Sequence, residues 1–151
     1  MEKSNFKINR ILASLIDGFF MFLISVAICL APSLTFFRQL VDGTFIGIDL
    51  FWLIFSLVGS FMVWILYLSV PTLFFKGATL GMRLNHLTFE NIKEKDYSFS
   101  KILFREANLV ITLVLSFGLL AISDLVSVIN SDEGRSFHDY FSLVKVVGVN
   151  D

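Results

Sequence analysis

Asp17 stands inside an otherwise apolar run, Ile11 to Ala31, and what it can do depends on the residues that share its helix face. On a 3.6-residue helix, Arg10, Ala13, Ser14, Asp17, Met21 and Ser25 fall on one stripe. An aspartate near mid-bilayer costs roughly 2.5 to 3.5 kcal/mol on insertion scales, so this face is expected to point into protein. Two chemistries suit it. One is an ion or proton site in which Asp17 titrates or holds a cation; the other is an interhelical hydrogen bond or ion pair that only holds helices together. A second stripe, Arg105, Asn108, Thr112, Ser116, Ser123 and Ser127 with Asp124 at its edge, gathers on one side of the run from Ala107 to Ile129 if that run is one helix. The simplest packing sets it against Asp17. The third cluster is Arg135-Ser-Phe-His138-Asp139-Tyr140. Its neighbouring His and Asp could shuttle protons near neutral pH, but without a nucleophile they make no catalytic constellation, and a local polar turn is the plainer reading.

Other residues exclude chemistry. Gly77, Thr79 and Gly81, in the run Lys76 to Arg83, lack the length and the lysine of a phosphate-binding loop and read as a turn that leaves the membrane. His86 is isolated. No set of His, Cys and carboxylates has metal-ligand spacing, and Cys29 is the single cysteine, so neither a metal nor an internal disulfide is expected. No cofactor and no enzymatic activity are expected either.

The elements that must position these residues are membrane helices. The chain has 151 residues, 56% of them hydrophobic and 17% charged, with a mean hydropathy of +0.78. Soluble domains run nearer 45 to 50% apolar and about 25% charged. The 18 phenylalanines suit acyl chains and helix packing. A net charge of −1 argues against a nucleic-acid partner. A span needs about 20 apolar residues, and three stretches qualify: 11–31, 50–70 and 107–129. The reading is an all-α, membrane-spanning single domain over 1–151 with three spans, a connection over 76–105 and a polar tail over 130–151. The first stretch is too long for a signal-peptide core and contains Asp17, so it is expected to remain as a span. Ser56, Gly59 and Ser60 in the second form a small patch that permits close helix approach.

Lys3, Lys7 and Arg10 precede the first span, Arg38 alone lies between the first two, and Lys76, Arg83, Lys93, Lys95, Lys101 and Arg105 mark the long connection. The positive-inside rule therefore places the N-terminus and that connection in the cytoplasm. Within the connection, alternation over Leu87 to Glu90 and Tyr97 to Ser100 predicts a short β-hairpin. The alternative is an interfacial segment with Phe89, Tyr97 and Phe99 dipping into the membrane surface. A β-prone run, Leu143 to Val149, follows the third cluster.

Arg10-Ile-Leu-Ala-Ser-Leu-Ile-Asp17, Gly77-Ala-Thr-Leu-Gly81, Arg105, and Arg135-Ser-Phe-His-Asp139, taken in this order over matching hydropathy, resemble the RDD family of mostly bacterial membrane proteins. The family is named for one arginine and two aspartates, which fall here on Arg10, Asp17 and Asp139. Met82 stands where a lysine is common, and Tyr140-Phe-Ser-Leu-Val replaces small residues that usually follow the His-Asp pair. The resemblance implies a multi-pass protein of the bacterial plasma membrane, with transport or ion antiport proposed for some members. It also implies that Arg10 and Asp139 share a membrane face, which a re-entrant pair of half-helices around Gly118 would allow; the continuous polar stripe favours three spans instead. The expected function is a small ion- or proton-coupled transport component, a homo-oligomer in the lipid bilayer, with Asp17 titrating and a monovalent cation or proton as its partner. The alternative is a non-catalytic assembly or accessory module.

Overall fold

The computed structural model describes residues 3–44, 47–92, 98–116, 118–131 and 134–148. In chain order these form α1 (Lys3–Asp42), α2 (Gly47–Phe74), α3 (Leu80–Leu84), β1 (Leu87–Asn91), α4 (Phe99–Leu115), α5 (Leu119–Asn130), α6 (Phe137–Ser142) and β2 (Val144–Gly148). At a rise of 1.5 Å per residue α1 and α2 are about 60 and 42 Å long, more than the roughly 30 Å of a hydrocarbon core. They are the two helices among the described residues that are long and apolar enough to cross a membrane, and their apolar windows are only 11% and 22% buried. Phenylalanines such as Phe19, Phe22, Phe51 and Phe55 are left uncovered by protein, as lipid-facing side chains are.

The two helices meet along a polar seam. Trp64 Nε1 donates to Ser25 Oγ at 2.8 Å and to the Met21 carbonyl at 3.1 Å; Ser25 and Ser60 share a hydrogen bond at 3.0 Å; Cys29 Sγ donates to the Ser56 carbonyl at 3.6 Å. Ser56 and Ser60 are buried in this seam as their size suggests. Gly59 is not part of it, since a methyl group there would meet nothing within 4 Å.

Three boundaries differ from the sequence reading. Pro32 and Pro71 lie inside helices, so α1 runs on through much of the expected connection between the first two spans; prolines are tolerated in membrane helices because neighbouring groups satisfy the backbone they free. The expected third span is not one helix. The chain turns at Gly118, whose φ of +84° is the left-handed conformation that glycine adopts at little cost, and the Gly118 N–H closes the turn on the Leu113 carbonyl at 2.8 Å. The resulting α4 and α5, 17 and 12 residues long, double back: Lys7 at the start of α1 donates to the Ile129 carbonyl near the end of α5. Past Gly118 the helical phase is reset, so Ser123 is exposed while Asp124 points inward.

The predicted local hairpin is not found among the described residues either. Leu87–Asn91 pairs antiparallel with Val144–Gly148, in the register Leu87 to Gly148 and Phe89 to Val146, while Phe99 and Ser100 begin α4; Tyr97 and 93–96 lie outside the described residues. Burial decides the pairing. The inward residues Leu87, Phe89, Val144 and Val146 close one core with Ala13, Ala78, Met82 and Ile102, which a hairpin with the polar connection could not supply. Phe89 is therefore buried rather than interfacial.

This pairing places the C-terminal strand and the connection on one side of the membrane. Reporters inserted in 92–98 and fused after Gly148 are expected to give the same sidedness. Opposite readings in a topology assay would require α4 and α5 to cross as one span.

Candidate functional site

Asp139 is the centre of the polar cluster. It sits in the first turn of α6 and is fully buried. Arg10 Nη2, from α1, donates to its Oδ2, and Arg105 Nε, from α4, donates to its Oδ1 at 2.7 Å. The Ser136 N–H adds a third bond to Oδ2 at 3.0 Å. Arg10 also donates to the Gly134 carbonyl. Arg105 bonds in addition to its neighbour Glu106 and lies 4.7 Å over the Phe89 ring, a cation–π contact that strengthens as water is excluded.

The electrostatics follow from burial set against pairing. Burial works to raise the Asp139 carboxyl, but Arg105 and Arg10 outweigh it and push the pKa down to about 2. Burial also works against the Arg105 charge, and the carboxylates of Glu106 and Asp139 hold it above its ordinary value. For Glu106 burial prevails over Arg105, so its carboxyl is raised.

Asp17 is held by different elements. Thr79 Oγ1 donates to Oδ2 at 2.6 Å, and the Gly81 N–H donates to Oδ1 at 2.9 Å; Tyr67 of α2 adds its hydroxyl to Oδ1 at 3.2 Å. Thr79 is the N-cap of α3 and accepts the Met82 N–H at 3.2 Å through the same hydroxyl. The glycine is dictated by approach distance: a Cβ on Gly81 would lie 2.2 Å from the Ala13 carbonyl oxygen and 2.9 Å from Asp17 Cγ. The run read as a turn is thus the cradle of Asp17, and the turn itself is made by Lys76 and Gly77, with φ of +51° and +89°. The hydrogen bonds of Asp17 come from α2 and from the segment that opens α3, not from the α4 stripe.

Behind these groups, α1, α4, α5 and α6 line a half-open cavity of about 480 Å³ whose wall includes Arg10, Ser14, Asp17, Arg105, Glu106, Thr112, Asp124 and His138 beside leucines and Met21. His138 bridges three helices. Its Nε2 is 2.7 Å from Thr112 Oγ1 on α4, and its Nδ1 is 3.4 Å from Asp124 Oδ1 on α5. Burial lowers its pKa, with Asp124 opposing. Asp124 Oδ1 also accepts the Phe137 N–H at 3.0 Å.

Several predicted residues stand apart. Ser116 closes the α4–α5 turn through Leu113 and Leu120; Asn108 contributes its carbonyl to Thr112; the Arg135 guanidinium lies 5.7 Å over the Tyr140 ring. Glu106 and Tyr67 were not singled out by the sequence. The signal for Glu106 was its place beside Arg105 at the head of an apolar run; Tyr67 had none beyond its hydroxyl. Among the described residues no group of His, Cys, Asp and Glu is arranged to hold a metal ion.

Replacing Asp139 by Asn leaves two buried guanidiniums sharing a neutral amide and should destabilise the protein by roughly 3 to 5 kcal/mol. Because its pKa is depressed, the wild-type contribution is present in full above the ordinary 3.8 and is lost as pH falls through about 2. Thermal unfolding in a neutral detergent should therefore show the wild-type protein losing this advantage over Asp139→Asn only in that acid window. In the same assay Gly81→Ala, which must force α3 away from α1, should cost at least about 1 to 3 kcal/mol.

The RDD family model matches residues 7–142. No curated protein and no solved structure matches the chain. The family match covers the helices, the Asp17 cradle and the Arg10–Asp139–Arg105 cluster, and it agrees with two long apolar helices whose surfaces protein leaves uncovered. This chain belongs to the RDD family and is a membrane protein.

Proposed function

We propose that the chain is a small ion- or proton-coupled transport component of the bacterial plasma membrane, not an enzyme, with its N-terminus in the cytoplasm and its charged cavity as the exchange site. The observation that carries this reading is a surplus of acid in a buried place. Arg10 and Arg105 bring two positive charges, while Asp17, Glu106, Asp124 and Asp139 bring four carboxylates. Both guanidiniums are bonded to Asp139, and Arg105 to Glu106 as well. Asp17 and Asp124 have no guanidinium of their own among the described residues. Buried or half-buried carboxylates without a counter-charge recruit protons or cations, and intramembrane acids of this kind mark ion and proton pathways. A homo-oligomer suits a cavity that one chain only partly encloses.

The assembly-module reading draws on Asp17. Donors from α2 and α3 already occupy its oxygens, an arrangement suited to holding helices together.

Purified protein in liposomes should dissipate an imposed proton gradient when sodium or potassium is supplied on the opposite side. Asp17→Asn and Asp124→Asn, checked for folding by thermal unfolding, should each remove most of that flux. Full flux in both folded variants would remove the exchange-site reading. Loss of oligomer stability in Asp17→Leu alone would put the assembly module in its place.

A further inference from the structure

We propose that the cavity binds a protonated lipophilic amine, its ammonium N–H bridging His138 Nδ1 and Asp124 Oδ1 and its apolar body lying among the leucines of α1, α4 and α5. The proposal deepens the transport reading, on which it rests for the role of the cavity, by naming the class of ligand.

The contacts around His138 suit one tautomer. Thr112 Oγ1 has one proton to give and three acceptors within reach, the Asn108 and Leu109 carbonyls at 2.7 and 3.1 Å and His138 Nε2 at 2.7 Å. In the proposed state that proton stays within α4, and Nε2 carries the ring proton and donates to Oγ1. Nδ1 is then a bare acceptor. It is buried without a hydrogen-bond partner, on a side chain only 4% exposed, and it faces a second acceptor, Asp124 Oδ1, at 3.4 Å. Two acceptors opposed across such a gap repel unless a donor lies between or beside them. An N–H donor in the cavity about 2.9 Å from each satisfies both, because hydrogen bonds of ordinary length span a pair of acceptors at that separation.

The donor must also be cationic and carry an apolar body. The surrounding ionisable groups are Arg10 and Asp17 on α1, Arg105 and Glu106 on α4, Asp124 on α5 and Asp139 on α6, four carboxyl groups against two guanidiniums. A volume of about 480 Å³ is far more than a bare metal ion or a proton requires; it falls within the roughly 300 to 1,000 Å³ of small-molecule sites, which pair apolar walls with a few placed polar groups. Leu15, Met21, Leu109, Leu113 and Leu125 form such walls here.

The chain has two histidines, so replacing the exposed His86, which sits at φ of +55°, by Asn leaves His138 as the one imidazole. The protein with ring-labelled nitrogen, in a neutral maltoside detergent, is titrated with dodecylammonium, dodecyltrimethylammonium and dodecyl sulfate while the His138 nitrogen resonances are followed. The expected result is a neutral ring with the proton on Nε2, a saturable shift of Nδ1 with dodecylammonium alone, and at least a tenfold weaker affinity in Asp124→Asn. Equal shifts from the quaternary ammonium or the sulfate would overturn the proposal, as would an affinity unchanged in Asp124→Asn. A ring already protonated at Nδ1 and indifferent to every amphiphile would overturn the amine while leaving proton-coupled flux in liposomes intact; loss of that flux from wild-type protein would be the separate failure of the transport reading.

Discussion

Two guanidiniums drawn from distant parts of the chain share one buried carboxylate, and most of the architecture is arranged so that they can. Arg10 rides on the first membrane helix and Arg105 near the start of α4, and Asp139 reaches both because the chain turns back at Gly118 and caps the return with α6. A single third span would have left Arg10 and Asp139 on opposite faces of the bilayer. Removing one member of such a cluster leaves an uncompensated charge in a water-poor place. The helical hairpin, the short α6 and the strand pairing thus answer one electrostatic constraint.

A second constraint works at shorter range. Asp17 cannot remain in an apolar helix without donors, and the chain supplies them from a segment that begins just beyond α2: a hydroxyl at an N-cap, a backbone N–H from the glycine that permits close approach, and the Tyr67 phenol. The cavity lies between the two solutions. Its wall joins the Asp17 cradle to the Asp139 cluster and includes His138 and Asp124, which face each other and bond to neither carboxylate.

Much of this was legible in residue order. The first two apolar runs mark real helices, and the polar side of α1 does face protein at Arg10, Ala13 and Asp17. Thr112, Asp124 and His138 were named from type and spacing and meet at the cavity. What failed had a common physical root. A helical projection assumes unbroken phase, and one glycine at positive φ voids it, which is why Ser123 was grouped with residues it never meets. Alternation marks a strand but not its partner; Leu87 to Glu90 showed the period of a strand, yet the partner was chosen by a core assembled from α1, α3 and α4. Glu106 and Tyr67 went unmarked because burial, which gives them their roles, is a property of the assembled helices. The Thr79–Gly81 cradle was mistaken for a turn because its ligand lies in a different helix.

The pairing of β1 with β2 also dictates an order of events during synthesis. The chain emerges from its N-terminus, so α1, the Asp17 cradle and β1 are made well before β2, and Arg10 before Asp139. Asp17 finds its donors early, once the chain has been made as far as Gly81. β1 waits with an unpaired edge, and Arg10 and Arg105 wait at the membrane surface for the same late segment. Long-range pairings of this kind are slow to form, and a strand edge left open invites other chains. The insertion machinery must therefore hold a half-made molecule whose charges balance and whose core closes only when its last strand arrives.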